Sequence, residues 1–380
     1  MGGHTVFEKG QVRRFVLVVG SIGLGLLAPL LVLEILLRFL PVDRGLRPLP
    51  VDAANPIRRF TPNRTSTFSR SWNFTQANTV RSNNYGFINN QDYDPAATPP
   101  LLAVVGDSYV EAVMVPYFQT GAGILAADLG ARGRVYTFAA SGSPLSQYLA
   151  YAEYARRTFR PSALVVVIIA NDYDESFRKY RGMPGFHYFE EGPGGLLALH
   201  RLDHQLPLST RLLRDSALGM YLMLNLRGAH YLDTWRRASQ PAGASSTSGA
   251  ADPTRVADGM RAIDAFLRLL PEMAGLQSPD ILFAVDGIRP AVYKSGDGAD
   301  ADPYAHHMRQ YFMAHAGAAG LEVVDLHAEF TRHFRRHGQR FEFERDAHWN
   351  GVGHEVFASA VKRSALYSRL RIMPSSGEAR

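Results

Sequence analysis

The stretch from Leu101 to Glu111 constrains the fold of this chain more than any other part of the sequence. It begins with five apolar residues, Leu-Leu-Ala-Val-Val, and changes abruptly at Gly106, Asp107 and Ser108. A short apolar run that ends at a glycine turn predicts a buried parallel strand leading into a helix. Ser108 is therefore expected at the carboxyl end of a central strand, where ligands of open α/β sheets bind. The alternative is that Asp107 and Ser108 only cap the helix.

After this strand, apolar strand-like runs alternate with helical segments. The further predicted strands cover residues 134–138, 163–170, 280–285 and 321–325, and the predicted helices cover residues 118–129, 144–157 and 303–319. Strands joined by helical crossovers predict an α/β fold with a doubly wound parallel sheet. We expect this domain to span residues 101–370.

The third and fourth predicted strands are separated by too many residues for a simple crossover. We therefore expect an insertion at about residues 175–279. Its leucine pattern predicts a helix over residues 208–235 with Ser209 as cap, and residues 238–251 are a low-complexity stretch for which we expect flexibility.

The N-terminal part predicts a membrane anchor. Residues 15–33 carry no charged side chain, and about 20 apolar residues are enough to span a bilayer. Basic residues before this stretch predict a cytoplasmic tail over residues 1–14, an anchor over 15–40 and an extracytoplasmic domain. Residues 41–100, rich in proline, are expected to form a stalk that merges into the domain edge. A signal peptide cleaved before Pro29 is the alternative, although the helical pattern continues beyond it.

Composition excludes several kinds of site. The chain has no cysteine, so disulfides, thiol nucleophiles and cysteine-bound zinc are ruled out. Its net charge of +6 is spread along the sequence, which is not typical of a nucleic-acid-binding surface. No phosphate-loop or dinucleotide fingerprint occurs, so we expect no cofactor.

Polar residues follow four of the predicted strands. Ser108 follows the first, Gly142 the second, Asn171 the third, and Asp346 and His348 come after the fifth strand and a helix. The carboxyl ends of parallel strands share one edge of a sheet, so these groups are expected to meet. A hydroxyl, an imidazole with a nearby carboxylate, and N–H donors for an oxyanion are what acyl transfer needs.

Four blocks in this order resemble the SGNH (GDSL-type) hydrolase superfamily. They are Gly106-Asp-Ser108-Tyr109, Ser141-Gly142, Ile169-Ala-Asn171-Asp172 and Asp346-Ala-His348. The resemblance implies a flavodoxin-like three-layer α/β/α sandwich. It also implies Ser108 as nucleophile, His348 as base and Asp346 as its orienting acid. The implied oxyanion hole consists of the Ser108 and Gly142 N–H groups and the Asn171 side chain.

Two departures from the family pattern stand out. Ile169 occupies a position that is usually glycine, and a single residue, Ala347, separates the acid from the base where two are usual. The resulting Asp-x-His-Trp run resembles extracytoplasmic polysaccharide O-acetyltransferases related to the alginate system. A metal site is an alternative for some of these residues, but their spacing matches no standard metal motif and it would leave Ser108 unexplained. The residues of that alternative are Asp172, Asp174, Asp346, His348 and His354.

The sequence thus predicts a membrane-anchored serine esterase or O-acyltransferase that acts on acyl groups of an extracytoplasmic glycan, with acetyl as the expected acyl group. Its expected partners are an acylated glycan or acyl donor, and no nucleic acid. The expected location is the cytoplasmic membrane, with the catalytic domain on the periplasmic side. The alternative is a catalytically weak SGNH domain that serves as structural partner of a multi-pass membrane acyltransferase or a polysaccharide-export complex.

Overall fold

The computed structural model describes residues 4–207, 210, 213–226, 252–293, 302–344 and 346–373, with side chains from residue 11 onwards. Its strands are β1 (Arg64–Arg70), β2 (Gln76–Ser82), β3 (Leu101–Gly106), β4 (Arg134–Ala139), β5 (Ala163–Ile168), β6 (His187–Glu191), β7 (Leu197–Arg201), β8 (Ile281–Val285), β9 (Glu322–Asp325), β10 (Glu342–Phe343) and β11 (Asp346–Trp349).

The helices alternate with these strands along the chain. They are α1 (His4–Leu37), α2 (Ser108–Glu111), α3 (Gly121–Leu129), α4 (Leu145–Phe159), α5 (Ala217–Met220), α6 (Pro253–Ala274), α7 (Arg289–Tyr293), α8 (Pro303–Ala318), α9 (Leu326–His337), α10 (Gly351–Lys362) and α11 (Ala365–Ile372). A π-helical turn, Tyr221–Asn225, continues α5.

A five-stranded parallel sheet forms the centre of the larger part of the chain. Its strand order is β4-β3-β5-β8-β9, and Val104 of β3 lies opposite Thr137 of β4 and Val165 of β5. Every residue of β3, β5 and β8 is buried. Strands covered on both faces carry continuous apolar runs, as these three do. The predicted doubly wound α/β fold is confirmed.

The two faces of the sheet are covered by separate groups of helices. Leu101, Ala103 and Val105 of β3 pack in one hydrophobic cluster with residues of α4, α6 and α8. The alternate residues, Leu102 and Val104, pack in a second cluster with α3, α9, α10 and α11. Because successive strand residues point to opposite faces, one sheet supplies both cores, which makes the three-layer α/β/α sandwich.

The insertion contains structure that the sequence pattern did not reveal. β6 and β7 form an antiparallel hairpin, and α6 begins with Asp252 as N-cap and Pro253 at its first turn. Within the predicted helix over residues 208–235, the structure shows helix at Ala217–Met220 and the π turn after it. Ser209 and residues 238–251 lie outside the described residues.

The chain divides into two compact units. The first comprises Met1–Gly45, Thr67–Ala77 and Pro207–Pro241, and the second comprises Leu46–Ser66, Asn78–Leu206 and Ala242–Arg380. In the first unit, α1 contains the stretch Gln11–Leu37, 27 residues long and apolar enough to cross a membrane. Strands β1 and β2 form a two-stranded sheet within the stretch predicted to be stalk and domain edge.

Candidate active site

Ser108 begins α2 directly after β3, at the carboxyl edge of the sheet. Asp107 is the N-cap, and its Oδ1 accepts a hydrogen bond from the Tyr109 N–H at 2.9 Å. Burial is the largest influence on Asp107 and raises the pKa of its carboxyl group. Asp107 therefore caps the helix through one carboxylate oxygen, and its other oxygen, Oδ2, accepts a hydrogen bond from the Ser108 hydroxyl at 3.2 Å. The Ser108 hydroxyl also has a second partner within reach.

That partner is His348, whose Nε2 lies 2.8 Å from Ser108 Oγ. The other imidazole nitrogen, Nδ1, is hydrogen-bonded to Asp346 Oδ1. Asp346 is buried, whereas the His348 side chain is 28% exposed. A carboxylate accepts a hydrogen bond from a protonated Nδ1, and Nε2 is then the nitrogen that can accept one from the serine hydroxyl.

Strand β11 explains how a single intervening residue still joins the acid to the base. Residues two apart in an extended strand project to the same face, so Asp346 and His348 lie side by side with Ala347 directed elsewhere. The same carboxylate oxygen accepts the backbone N–H of His348 at 3.1 Å. The extended backbone of β11 therefore lets Asp346 and His348 meet with only Ala347 between them.

Gly142 lies just beyond β4, on the neighbouring strand to β3. Its φ is +83°, and a Cβ at this position would lie 2.8 Å from Arg181 Nη2. The positive φ favours glycine here, and the Arg181 guanidinium would have to move to admit a side chain. Beside it, the Ser141 N–H donates to Glu111 Oε2 at 3.1 Å, and the Ser141 hydroxyl donates to the same oxygen.

Asn171 lies beyond β5, on the other side of β3. Its Nδ2 donates to Glu175 Oε2 at 3.2 Å, and Arg181 Nη1 pairs with the same oxygen at 2.6 Å. Asp172 closes the turn that follows β5, because its carboxylate accepts the Ile169 N–H at 2.7 Å and the Tyr148 hydroxyl at 2.9 Å. Ile169 packs in the core of one face, so the loop forms with isoleucine in the usual glycine place.

The structure thus joins Ser108, His348 and Asp346 by direct hydrogen bonds. It places Gly142 and Asn171 at the ends of the two strands that flank β3, and Glu175 and Arg181 lie between them.

The residues of the metal alternative are held by other partners. His354 Nδ1 accepts the Gly121 N–H at 3.3 Å, and burial lowers the pKa of His354 to about 3. Asp174 pairs with Arg255 at 2.6 Å. In the part of the chain that the structure describes, no group of three or more histidine and acidic side chains is arranged to hold a metal ion.

Sequence reasoning missed two groups near this site. Glu111 is buried, and burial raises the pKa of its carboxyl group to about 7; the signal was an acidic residue within the apolar run 109–115. Asp286 and Arg289 follow β8, the strand whose polar end residues the sequence analysis left unassigned. The signal was their position at the same edge.

No model of a known protein family matches the sequence, and no curated protein matches it. Solved structures do match. A member of the lipolytic protein G-D-S-L family from Veillonella parvula is 11% identical, with 69% of this chain and 96% of that chain covered and a TM-score of 0.36. An acetylxylan esterase from Geobacillus stearothermophilus is 13% identical, with 74% and 98% covered and a TM-score of 0.38. A lipase from a goat rumen metagenome is 13% identical, with 71% and 99% covered and a TM-score of 0.38.

Proposed function

We propose that this chain is an SGNH-type serine hydrolase that acts on carboxylic esters. One observation carries the proposal: Ser108 Oγ lies 2.8 Å from His348 Nε2 while Asp346 holds the opposite side of the imidazole. The distance is the one that a general base needs in order to take the serine proton, and the Asp346 carboxylate favours the tautomer in which Nε2 can accept it.

The proposed reaction has two steps. Ser108 Oγ attacks the ester carbonyl carbon while His348 Nε2 takes the hydroxyl proton. Collapse of the tetrahedral intermediate breaks the ester C–O bond, and His348 returns the proton to the departing alcohol. In the second step His348 removes a proton from water or from an acceptor hydroxyl, and the oxygen of that group attacks the carbonyl carbon of the acyl-serine. Collapse of the second tetrahedral intermediate breaks the bond between the acyl carbon and Ser108 Oγ, and His348 returns the proton to Ser108 Oγ.

The developing negative charge on the carbonyl oxygen needs fixed donors. Gly142 N–H and the Asn171 side chain are proposed for this role, because they flank Ser108 at the same sheet edge. One Nδ2 hydrogen of Asn171 is engaged by Glu175, and an amide carries two such hydrogens. The second hydrogen is the one assigned to the oxyanion, where a single donor contributes about 10²–10³-fold in kcat.

The experiment is labelling with a fluorophosphonate probe together with hydrolysis of a small aryl ester. We expect Ser108→Ala to abolish labelling, and both Ser108→Ala and His348→Ala to lower kcat by several orders of magnitude. Ser368→Ala is the matched control: Ser368 lies on α11, and its hydroxyl donates to the carbonyl of Ser364, the residue before that helix. A loss below about tenfold in Ser108→Ala would remove Ser108 from the mechanism.

The finer proposal is that the enzyme is anchored in the cytoplasmic membrane and acts on acyl groups of an extracytoplasmic glycan. It is supported by the apolar stretch Gln11–Leu37 and by the basic residues that precede residue 15. Tethering places a site where membrane-bound substrates are presented. A bound, oriented sugar hydroxyl can outcompete water for the acyl-serine through its effective molarity.

Transfer is tested by supplying an acetyl donor with and without a glycan acceptor and following both products. Acetylated glycan should appear at the expense of free acetate. Release of free acetate that no acceptor alters would make a plain esterase the better description.

The second candidate function is a catalytically weak domain that supports a membrane acyltransferase or an export complex. The observation in its favour is the Arg181 guanidinium beside Gly142, where a Cβ would lie 2.8 Å from Arg181 Nη2, because this group lies close to one of the proposed oxyanion donors. A Ser108→Ala variant that retains full biological activity in the host would favour this role.

A further inference from the structure

The base of the triad lies on an element outside the central sheet. Ser108 begins α2 at the end of β3, whereas His348 belongs to β11, which pairs with the two-residue strand β10 in a separate sheet. That pairing is antiparallel, and its register shifts between Glu342 and Phe343. The 2.8 Å distance between Ser108 Oγ and His348 Nε2 therefore depends on what holds β11 against the central sheet.

One neighbour of His348 is held through its backbone. The Ala347 carbonyl oxygen accepts a hydrogen bond from the Tyr109 hydroxyl at 2.9 Å. The same hydroxyl accepts from Arg289 Nη2 at 2.6 Å, and the Arg289 guanidinium carbon lies 5.3 Å from the centroid of the Tyr109 ring. A guanidinium can only donate, so the single hydroxyl proton of Tyr109 is directed towards Ala347.

The other neighbour of His348 is held through its side chain. Trp349 is buried, and its indole Nε1 donates to Asp286 Oδ1 at 3.1 Å. The second carboxylate oxygen of Asp286, Oδ2, lies 3.6 Å from Arg289 Nη2. An indole N–H is a donor only, and a buried donor needs an acceptor. The contacts on both sides of His348 therefore lead to one pair of residues, Asp286 and Arg289.

The Asp286–Arg289 pair is itself fixed to the central sheet. Asp286 directly follows β8, and its N–H donates to the Ile168 carbonyl at the end of β5 at 2.9 Å. Its carbonyl accepts from Arg309 Nε at 3.0 Å. The side chains of Arg289 and Asp286 are only 11% and 8% exposed, and shielding from water strengthens such polar contacts. Successive contacts thus connect the sheet that carries Ser108 to both neighbours of His348.

We propose that the Asp286–Arg289 pair positions the catalytic base: it holds both neighbours of His348 and so keeps the imidazole at hydrogen-bond distance from Ser108. This inference rests on the proposed ester chemistry and adds two positioning residues that act through His348. A general base must lie within about 2.6–3.2 Å of the atom whose proton it takes. A displacement of about 1 Å can cost about 10²-fold in rate, so the hold on β11 should affect kcat rather than substrate binding.

The first experiment removes one hydrogen bond at a time in the full-length chain. Tyr109→Phe deletes the hydroxyl that binds β11, Trp349→Phe deletes the indole N–H, and both keep an aromatic ring. Each should lower kcat for a small aryl ester about tenfold, and the aromatic double variant, which combines them, about 10²-fold, with KM retained. Tyr311→Phe, whose hydroxyl bonds to Asp264 at the surface, and Trp72→Phe, at an exposed tryptophan, are the matched controls and should leave kcat as it is.

A second measurement separates positioning from a general loss of structure. The same two substitutions are made in His348→Ala, whose residual hydrolysis depends on substrate binding and the oxyanion donors rather than on the base. Substitutions that act through His348 should alter this residual rate by less than about twofold. Losses as large as those in the presence of His348 would contradict the inference, because they would come from the substrate site or the fold.

The pair itself is tested by removing both charges together. Asp286→Asn/Arg289→Gln leaves neither buried charge without its partner, which is the costly case, and thermal melts check that this variant and the aromatic double variant fold. We expect kcat to fall about 10²-fold with KM retained. Wild-type kcat in either variant, once folded, would overturn the inference.

Failure of this inference is distinct from failure of the proposed function. Full activity in Ser108→Ala or His348→Ala would end the serine mechanism and the positioning role with it. A severe loss in both of these variants, together with wild-type kcat in the folded aromatic double variant, would leave the mechanism in place and remove the Asp286–Arg289 pair from it.

Discussion

At the scale of single residues, the proposed oxyanion hole depends on the orientation of the Asn171 side chain. Glu175 fixes one of its amide hydrogens, and Arg181 holds Glu175 by an ion pair. An amide held in this way needs no reorganisation when charge develops on the carbonyl oxygen, and such preorganised donors contribute most to the rate. In the proposed reaction Glu175 would therefore be a positioning residue for Asn171.

We therefore expect Asn171→Ala to lower kcat by about 10²-fold or more with little change in KM. The donor acts chiefly in the transition state, so substrate binding is affected little. Asn90→Ala, an exposed asparagine, serves as control in the same aryl ester assay. An unchanged kcat in Asn171→Ala would show that the loop with Ile169 lies outside the oxyanion site.

The buried carboxyl group of Glu111 should make the free energy of unfolding depend on pH. Burial raises the pKa of its carboxyl from 4.5 to about 7 in the folded chain, and its Oε1 has no hydrogen-bond partner among the described residues. A raised folded-state pKa means that the stabilisation is fully present below pH 4.5 and is lost as the pH rises through about 7. The full effect is on the order of 3 kcal/mol.

Glu111→Gln should therefore make the free energy of unfolding depend less on pH between 5 and 8, with a gain over wild type at pH 8. Glutamine keeps an oxygen for the Ser141 donors and carries no charge. The measurement is urea unfolding in detergent at the two pH values, with Glu153→Gln on the surface of α4 as control. Parallel curves for wild type and Glu111→Gln would contradict the assignment.

The residues that form the triad could be predicted from sequence, but their support could not. Ser108 follows an apolar strand, and Asp346 and His348 follow the last predicted strand and a helix, so the predicted topology already placed all three at one edge of the sheet. Glu175 and Arg181 come from a segment without periodicity, and their contact with Asn171 and Gly142 depends on how the insertion folds back. No local pattern carries that information.

At the scale of elements, some strands could likewise be predicted from local sequence patterns, whereas one long helix could not. The buried strands β3, β5 and β8 were predicted within a few residues, because a run covered on both faces must be apolar throughout. Helix α6 was missed although it has a proline at its first turn and Gly275 in a left-handed conformation at its end. Its apolar positions are interrupted by Arg261, Asp264 and Arg268, and a low-complexity stretch directly precedes it.

Within the first unit, Glu34 of α1 caps the short helix α5. Its carboxylate accepts the Ser216 hydroxyl at 2.8 Å and the N–H groups of Ala217 and Leu218 at 2.9 Å. Four N–H groups at a helix start lack partners within the helix, and a carboxylate satisfies them with favourable charge.

Glu34→Ala should cost this local structure about 1 kcal/mol, seen as several-fold faster hydrogen exchange at the Ala217 and Leu218 amides. Arg38→Ala is the control: Arg38 pairs with Glu34 at 3.0 Å but is 59% exposed, and exposed ion pairs contribute little. Equal exchange rates in Glu34→Ala and wild type would show that the cap does not hold α5.

At the scale of the whole molecule, the decisive property is whether α1 stays attached in a membrane. Most of its apolar stretch Gln11–Leu37 is exposed in the structure, although Leu37 at its end is buried. In water the stretch would expose about 20 residues of hydrocarbon that a bilayer could cover. A signal peptide meets the same test of length and composition. The continuation of the same helix through Glu34, which binds α5, favours retention.

The corresponding prediction is that the full-length chain fractionates with membranes and resists extraction by alkaline carbonate. Protease added to the periplasmic side should remove the domain and leave a small membrane-bound fragment. Leu24→Arg should impair retention, since an arginine at the centre of a spanning helix costs about 2.5–3.5 kcal/mol, whereas Trp72→Arg, an exposed position outside α1, should not. A soluble chain that starts near Pro29 would establish cleavage instead, and a tethered active site would then no longer explain why transfer to a membrane-presented glycan should compete with hydrolysis.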